Sequence, residues 1–169
     1  MQLTHFKVTN YRNVLDSGWI EVNSITAFVG QNEAGKSNLF EALYRIHPFA
    51  PDEAYNIDED WPVDDWGNKN PAAQVCQAKF ALTPEEIEAL YDEAALPEPE
   101  PAAEGDQAAE DGAAGADEAE RDLPTELILI GSRSYNAGPA FAVAKADIAG
   151  ALDAAKVDAW AKKHAPKFV

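Results

Sequence analysis

Ile25-Thr26-Ala27-Phe28-Val29-Gly30-Gln31-Asn32-Glu33-Ala34-Gly35-Lys36-Ser37-Asn38-Leu39-Phe40-Glu41-Ala42-Leu43 carries more structural information than any other stretch of the chain. Ile25 to Val29 is a short, nearly continuous apolar run, the pattern of a strand buried on both faces. Gly30 to Ser37 fits G-x-x-x-x-G-K-[ST], a loop whose backbone N–H groups converge on phosphate oxygens. Leu39, Leu43 and Ile46 then recur at helical spacing, with Phe40 and Tyr44 as a second pair. The N-terminus of that helix adds its dipole to the same site. Lys36 is expected to reach the β- and γ-phosphates of a nucleotide, which makes it the candidate catalytic residue, and the Ser37 hydroxyl is expected to sit on Mg²⁺.

Upstream, Leu3, Phe6 and Val8 give an imperfect strand pattern, and the polar Asn10-Tyr11-Arg12-Asn13 follows as a turn. Trp19 to Val22 reads as a second short strand entered from Asp16-Ser17-Gly18, and Asn23-Ser24 turns the chain toward Ile25. Two short strands joined by tight turns ahead of the loop predict an antiparallel β edge beside the nucleotide.

The succession Phe6 to Asn13, then Ile25 to Gly30, then Asn32 to Leu43 resembles the N-terminal lobe of SMC/RecF-type ABC ATPases. Within that class, Gln31 to Leu43 behind Asn10-Tyr11-Arg12-Asn13 is most similar to OLD-family (overcoming lysogenization defect) ATPase–nucleases and related AAA-type defence ATPases. The likeness covers residues 1–47. It implies an α/β P-loop NTPase lobe with an antiparallel β subdomain, ATP and Mg²⁺ as cofactors, and a homodimer or partner lobe that completes the site. It also implies action on DNA, in repair or phage defence, through the complete protein.

By the same resemblance Gly30, Gln31, Asn32, Glu33, Ala34, Gly35, Lys36, Ser37 and Asn38 form the cofactor site. Asn38 would help to hold the loop or the water shell of Mg²⁺, and Glu33 would shape the loop. Arg12 is a candidate contact to the phosphates, with a surface arginine on a hairpin as the other reading, and Tyr11 is a further candidate for packing on the adenine. A transporter ATPase is disfavoured by Asn10-Tyr11-Arg12 and by Asn38 where threonine would follow Gly-Lys-Ser.

The bulk composition is consistent with one domain or most of one: 169 residues, 46% of them hydrophobic. The formal net charge of −17 argues against a broadly basic nucleic-acid-binding surface. Much of that charge is local. Residues 97–122 contain ten acids and one base, which leaves 20 acids and 12 bases, a balance of −8, elsewhere. A local basic groove is therefore compatible with the composition. The single cysteine, Cys76, has no internal disulfide partner, and His5, His47 and His164 are scattered without metal-type spacing. No apolar run approaches the ~20 residues of a membrane span, no signal peptide is recognisable, and a cytoplasmic location is expected.

Residues 47–73 show no sustained period. Trp61 and Trp66 read as anchors for a long loop in preference to a ligand clamp, and Asp58, Glu59, Asp60, Asp64 and Asp65, which lack a recognisable ligand spacing, as a solvated acidic loop in preference to a divalent-ion site. Asn68-Lys69-Asn70-Pro71 places proline where a guanine-reading aspartate would stand, so a GTPase motif is discounted. Cys76, Ala78, Phe80 and Leu82 alternate with Gln77, Lys79 and Ala81 as a half-buried strand. Thr83-Pro84-Glu85-Glu86 opens a helix with a capping box and proline at its first position, and Ile87, Leu90, Tyr91 and Ala94 form its apolar stripe.

Residues 96–124, rich in Pro, Ala, Glu, Asp and Gly, read as a disordered acidic insertion between a P-loop lobe at 1–95 and a completing segment at 125–169. In that last segment Glu126 to Ile130 is expected to be a strand. Phe141 and Val143 are expected on its hairpin return, and Asp147 to Ala155 and Lys156 to His164 as helices.

No apolar strand ending in Asp-Asp or Asp-Glu follows the loop, and no L-S-G-G-like signature is present, although hydrolysis in this class needs both. The chain is therefore expected to bind ATP without hydrolysing it efficiently, as the N-terminal part of a longer ATPase that lacks Walker B, signature motif and nuclease domain. The alternative is a non-catalytic interaction module that recruits a basic partner through its acidic insertion.

Overall fold

The computed structural model describes residues 1–31, 35–49, 54–96 and 123–168. The acidic stretch 97–122, read above as a disordered insertion, lies outside the described residues, as do Asn32, Glu33 and Ala34.

The chain begins with β1 (Gln2–Tyr11), β2 (Val14–Asp16) and β3 (Ile20–Glu21), followed by α1 (Lys36–Tyr44) and the short α2 (Ile57–Asp60). After a 3₁₀ stretch at Val63–Asn68 come β4 (Gln74–Ala81) and α3 (Pro84–Ala94). The last part holds β5 (Ile128–Ser134), β6 (Ala140–Val143), α4 (Ala146–Ala149) and α5 (Ala154–His164). The strands form one antiparallel sheet in the order β2-β1-β4-β5-β6. β3 pairs with the first half of β1 and β2 with its second half, so the two short strands share one edge. The protein is thus a mixed α/β fold built on an antiparallel sheet.

Alternation decides which face of the sheet is covered. Phe6 and Val8 on β1, Ala78 and Phe80 on β4, Leu129 on β5 and Phe141 on β6 are all buried. Ala42 and Leu43 from α1, Ile46 just beyond its C-cap, and Val157, Trp160 and Ala161 from α5 join the same core, with Ile87, Leu90 and Ala94 of α3. Each large apolar side chain removed from water in this way contributes about 1.5–3 kcal/mol. Gly131 is in β5 because a Cβ there would lie 2.8 Å from the Phe141 ring and 3.2 Å from Phe80.

The capping box appears as read: Thr83 Oγ1 accepts from the Glu86 N–H at 3.3 Å, and the Glu86 carboxylate accepts from the Thr83 N–H at 2.9 Å. β4 keeps the expected burial alternation. Other expectations need correction. β5 runs on through the polar Ser132, Arg133 and Ser134, because it pairs with β4 along that strand's whole length. The helix expected over Asp147 to Ala155 is only α4, since Leu152 enters the core and pairs with Ala95, and Asp153 then caps α5.

The largest correction concerns Ile25 to Val29, which form no strand. Ile25 is 90% and Val29 95% exposed. Apolar composition favours burial, but a strand also needs a neighbour, and the edge of β1 is already taken by β2 and β3. Only Phe28 turns inward, meeting Phe40 edge-on at 4.9 Å and Phe6 at 6.2 Å. Among the described residues no helix is long and apolar enough to cross a membrane.

Candidate phosphate-binding site

Gly35 is the N-cap of α1, with φ 86° and ψ 7° in the left-handed region, which glycine adopts without the cost a Cβ imposes. Its carbonyl accepts the first helical bond, from the Leu39 N–H at 3.1 Å. Among the described residues no side chain caps this end, and no acidic residue lies in the first turn. The first-turn N–H groups and the positive pole of the helix are therefore open to water or to an anion.

Lys36 folds back over the loop. Its ammonium donates to the Gly30 carbonyl at 2.7 Å and to the Gln31 carbonyl at 2.6 Å. One lysine thereby spans the first and last turns of the motif and holds a positive charge at its mouth. Ser37 lies exposed one residue further along. Asn38 is held from behind: its Nδ2 donates to Asn13 Oδ1 at 2.8 Å, and its Oδ1 accepts from Arg12 at 3.3 Å.

Arg12 and Asn13 form the two-residue turn between β1 and β2, where Tyr11 pairs with Val14. Arg12 has φ 51°, also left-handed, and a non-glycine residue there costs about 1–2 kcal/mol. Its N–H donates to the Asp60 carbonyl at 2.6 Å, and its guanidinium to Glu41 and Asp60, which hold the turn in that conformation. Burial works against the Arg12 charge, but the Glu41 hydrogen bond, the neighbouring Tyr11 and Asp60 outweigh it and raise the guanidinium above its ordinary value. Tyr11 is fully buried against Tyr55, with ring centres 5.7 Å apart, so its ring is not exposed to stack on a base. Burial first, and then the Asp60 charge, push the Tyr11 phenol well up.

The far end of α1 is also fixed. Arg133, only 7% exposed, donates to the Arg45 carbonyl at the helix C-cap and lies with its guanidinium 5.5 Å from the Tyr55 ring. A cation there complements the negative pole of the helix. Burial, and less so the nearby Arg45, lower the Arg133 guanidinium, while Tyr55 opposes them. Trp61 is buried, donating to the Asp65 carbonyl at 2.8 Å and packing on Tyr135, so it anchors the 55–66 segment. Trp66 instead lies half exposed beneath the Lys69 ammonium.

The expected site residues thus divide. Gly30, Gln31, Gly35, Lys36, Ser37 and Asn38 surround one loop mouth, and Arg12 stands behind it, bound to protein carboxylates. Asn32, Glu33 and Ala34 lie outside the described residues. The sequence reading missed Glu41, Arg45 and Arg133, and it put Asp60 on a solvated acidic loop, whereas that carboxylate is 1% exposed and bound by Arg12 and Arg45. Only the Glu41–Arg45 pair, spaced i,i+4 on one helix, left a signal.

Mg²⁺ keeps several waters and takes few protein oxygens when phosphates are present. The exposed Ser37 hydroxyl beside Lys36 fits that demand, and the other described side chains at the mouth that carry a hard oxygen are the amides of Gln31 and Asn38. Among the described residues no group of three or more His, Cys, Asp or Glu is arranged to hold a metal ion by itself. No protein-family model matches the chain, and no curated protein matches it.

Proposed function

We propose that this chain binds Mg·ATP through residues 30–38, as the nucleotide-binding lobe of a P-loop ATPase of the SMC/RecF/OLD type. In this reading the antiparallel sheet is the β subdomain that flanks the nucleotide, and the complete assembly acts on DNA in repair or defence. One observation supports it above others: the Lys36 ammonium sits between the Gly30 and Gln31 carbonyls at an uncapped helix N-terminus. A triphosphate would draw that ammonium off the loop carbonyls and satisfy the first-turn N–H groups together with it. Ser37 would help to hold Mg²⁺, which would neutralise phosphate charge.

Hydrolysis needs a carboxylate to orient water, and Glu41 and Asp60 are both committed to arginines. A homodimer or partner lobe would therefore complete the catalytic set. That same observation favours a second reading, an interaction module that uses the acidic segment 97–122 and does not turn nucleotide over.

Calorimetry of Mg·ATP with the chain and its Lys36→Ala variant, with phosphate release followed in the same samples, tests the proposal. Binding lost in the variant supports it. Binding that survives Lys36→Ala sinks it, and no binding by either chain leaves the interaction module. The latter fails if deleting 97–122 leaves partner capture unchanged.

A further inference from the structure

Behind the loop, four charged side chains close a ring. Arg12 donates to both Glu41 oxygens at 2.6 and 2.9 Å, and Arg45 donates to Glu41 at 2.7 Å. Arg45 also donates to Asp60 at 2.8 Å, and Arg12 Nε closes the circuit to Asp60 at 3.0 Å. Two cations and two anions balance. Asp60 is 1% exposed and accepts in addition from the Asn56 N–H at 3.0 Å. The ring joins three separate pieces of chain: the β1–β2 turn, the outer face of α1, and α2.

All three Arg12 nitrogens are engaged by these carboxylates. Among the described residues the guanidinium makes one further hydrogen bond, from NH1 to Asn38 Oδ1, which falls next to Ser37 in the first turn of α1. For Arg12 to swing to a phosphate, Glu41 and the buried Asp60 would be left to share Arg45. Separating a buried charge from its partner is among the costlier changes a fold can undergo.

We propose that Arg12 and Glu41 are positioning residues for the phosphate-binding loop, acting through Asn38 and the pose of α1, and that Arg12 does not itself contact phosphate. The proposal rests on the reading of the loop as a nucleotide site. It differs from the direct phosphate contact for which family resemblance makes this arginine a candidate. A positioning ring sets the direction of the first-turn N–H groups, so it acts on every phosphate chain the loop holds. A direct contact to the terminal phosphate acts on ATP alone.

The test is calorimetric binding of Mg·ATP and Mg·ADP to the wild-type chain, Arg12→Gln, Glu41→Gln, the double variant, and Lys36→Ala. Thermal melts identify the temperature at which every variant is folded. Asp60 is left intact so that the buried carboxylate keeps Arg45. Each single variant is expected to weaken both nucleotides alike, by about tenfold, with little further loss in the double variant because the pair acts as a unit. Arg12→Lys is expected to restore little, since an ammonium cannot reproduce the fork that grips Glu41 and reaches Asp60.

If Arg12→Gln weakened ATP far more than ADP, or Glu41→Gln tightened ATP by freeing the guanidinium, the positioning role would be overturned while the nucleotide site stood. If wild type bound neither nucleotide, or Lys36→Ala bound as well as wild type, the site itself would fall and the inference with it. A loss of thermal stability with unchanged affinity in the folded variants would also overturn it, since it would mark a purely structural ring.

Discussion

Asn13 stands directly behind Gly35: a Cβ built on Gly35 would lie 2.7 Å from Asn13 Oδ1 and 3.0 Å from its Nδ2. The tip of the first hairpin is therefore the back wall of the loop that precedes α1. The same Asn13 side chain accepts from Asn38 one turn further along the helix. Loop and hairpin tip meet at van der Waals distance, so a change in either displaces the other.

Gly35→Ala meets two obstacles at once. The backbone at φ 86° strains any side-chain-bearing residue, and the added methyl runs into the Asn13 amide. The expected outcome is a loss of about 1–3 kcal/mol in denaturant unfolding, together with loss of Mg·ATP binding. Removing the obstruction with Asn13→Gly in the same chain should recover part of the stability but not the part due to φ. Full recovery would mean that the backbone strain is negligible.

Asp60→Asn tests the charge balance of the ring from its buried corner. The substitution keeps the shape but leaves Arg12 and Arg45 sharing Glu41. Truncating one partner of a buried pair costs about 3–5 kcal/mol, and the nearly isosteric amide is expected to cost somewhat less. Urea unfolding at neutral pH reads the difference, and a change below about 0.5 kcal/mol, typical of exposed pairs, would show that the ring is energetically a surface feature.

These two sites also show where the sequence was legible. Thr83-Pro84-Glu85-Glu86 was readable because every contact in a capping box lies within three residues. β1, β4 and the β5–β6 hairpin were readable because a sheet covered on one face imposes alternation. Asp60 was not, since it reads as one acid in an acidic run until Arg12 and Arg45 arrive from 48 and 15 residues away. Ile25 to Val29 failed for the opposite reason. Composition reports that a segment is apolar, while pairing depends on which strand edges remain open. Arg133 was hidden in the same way, because a charged residue in a strand carries no local mark that it will cap a helix.

Acid should act on the start of α3. Glu86 bridges the Thr83 N–H and the ammonium of Met1. Burial would raise its carboxyl, but those two hydrogen bonds and the positive charge outweigh burial and hold it below the ordinary range. A carboxyl lowered in the folded state binds its proton more weakly there than in the unfolded chain. Its contribution is therefore complete above about pH 4.3, the unfolded value, and is lost as the pH falls through the folded value. Glu86→Gln is expected to flatten the acid limb of a stability–pH curve, and Thr83→Ala to cost about 1 kcal/mol at all pH values. An acid limb unchanged in Glu86→Gln would assign it to other carboxylates.

Alkali should act through Cys76. The thiol is fully buried on β4, and burial alone pushes its pKa far up. The folded state therefore keeps a proton that the unfolded chain releases above about pH 8.5. A pKa raised on folding gives a contribution that is complete below the unfolded value and declines as the pH rises. Between about pH 8.5 and 10 the decline should approach 1.4 kcal/mol per pH unit, the value for one proton. Above about pH 10 the buried phenols of Tyr11, Tyr55 and Tyr135, all raised chiefly by burial, add to it. Cys76→Ala should remove the first of these limbs and leave the second, and the native thiol should react with a disulfide reagent only as fast as the chain opens. Rapid reaction at pH 7, or an unchanged slope below pH 10 in Cys76→Ala, would show that β4 exposes its cysteine through local opening of the sheet.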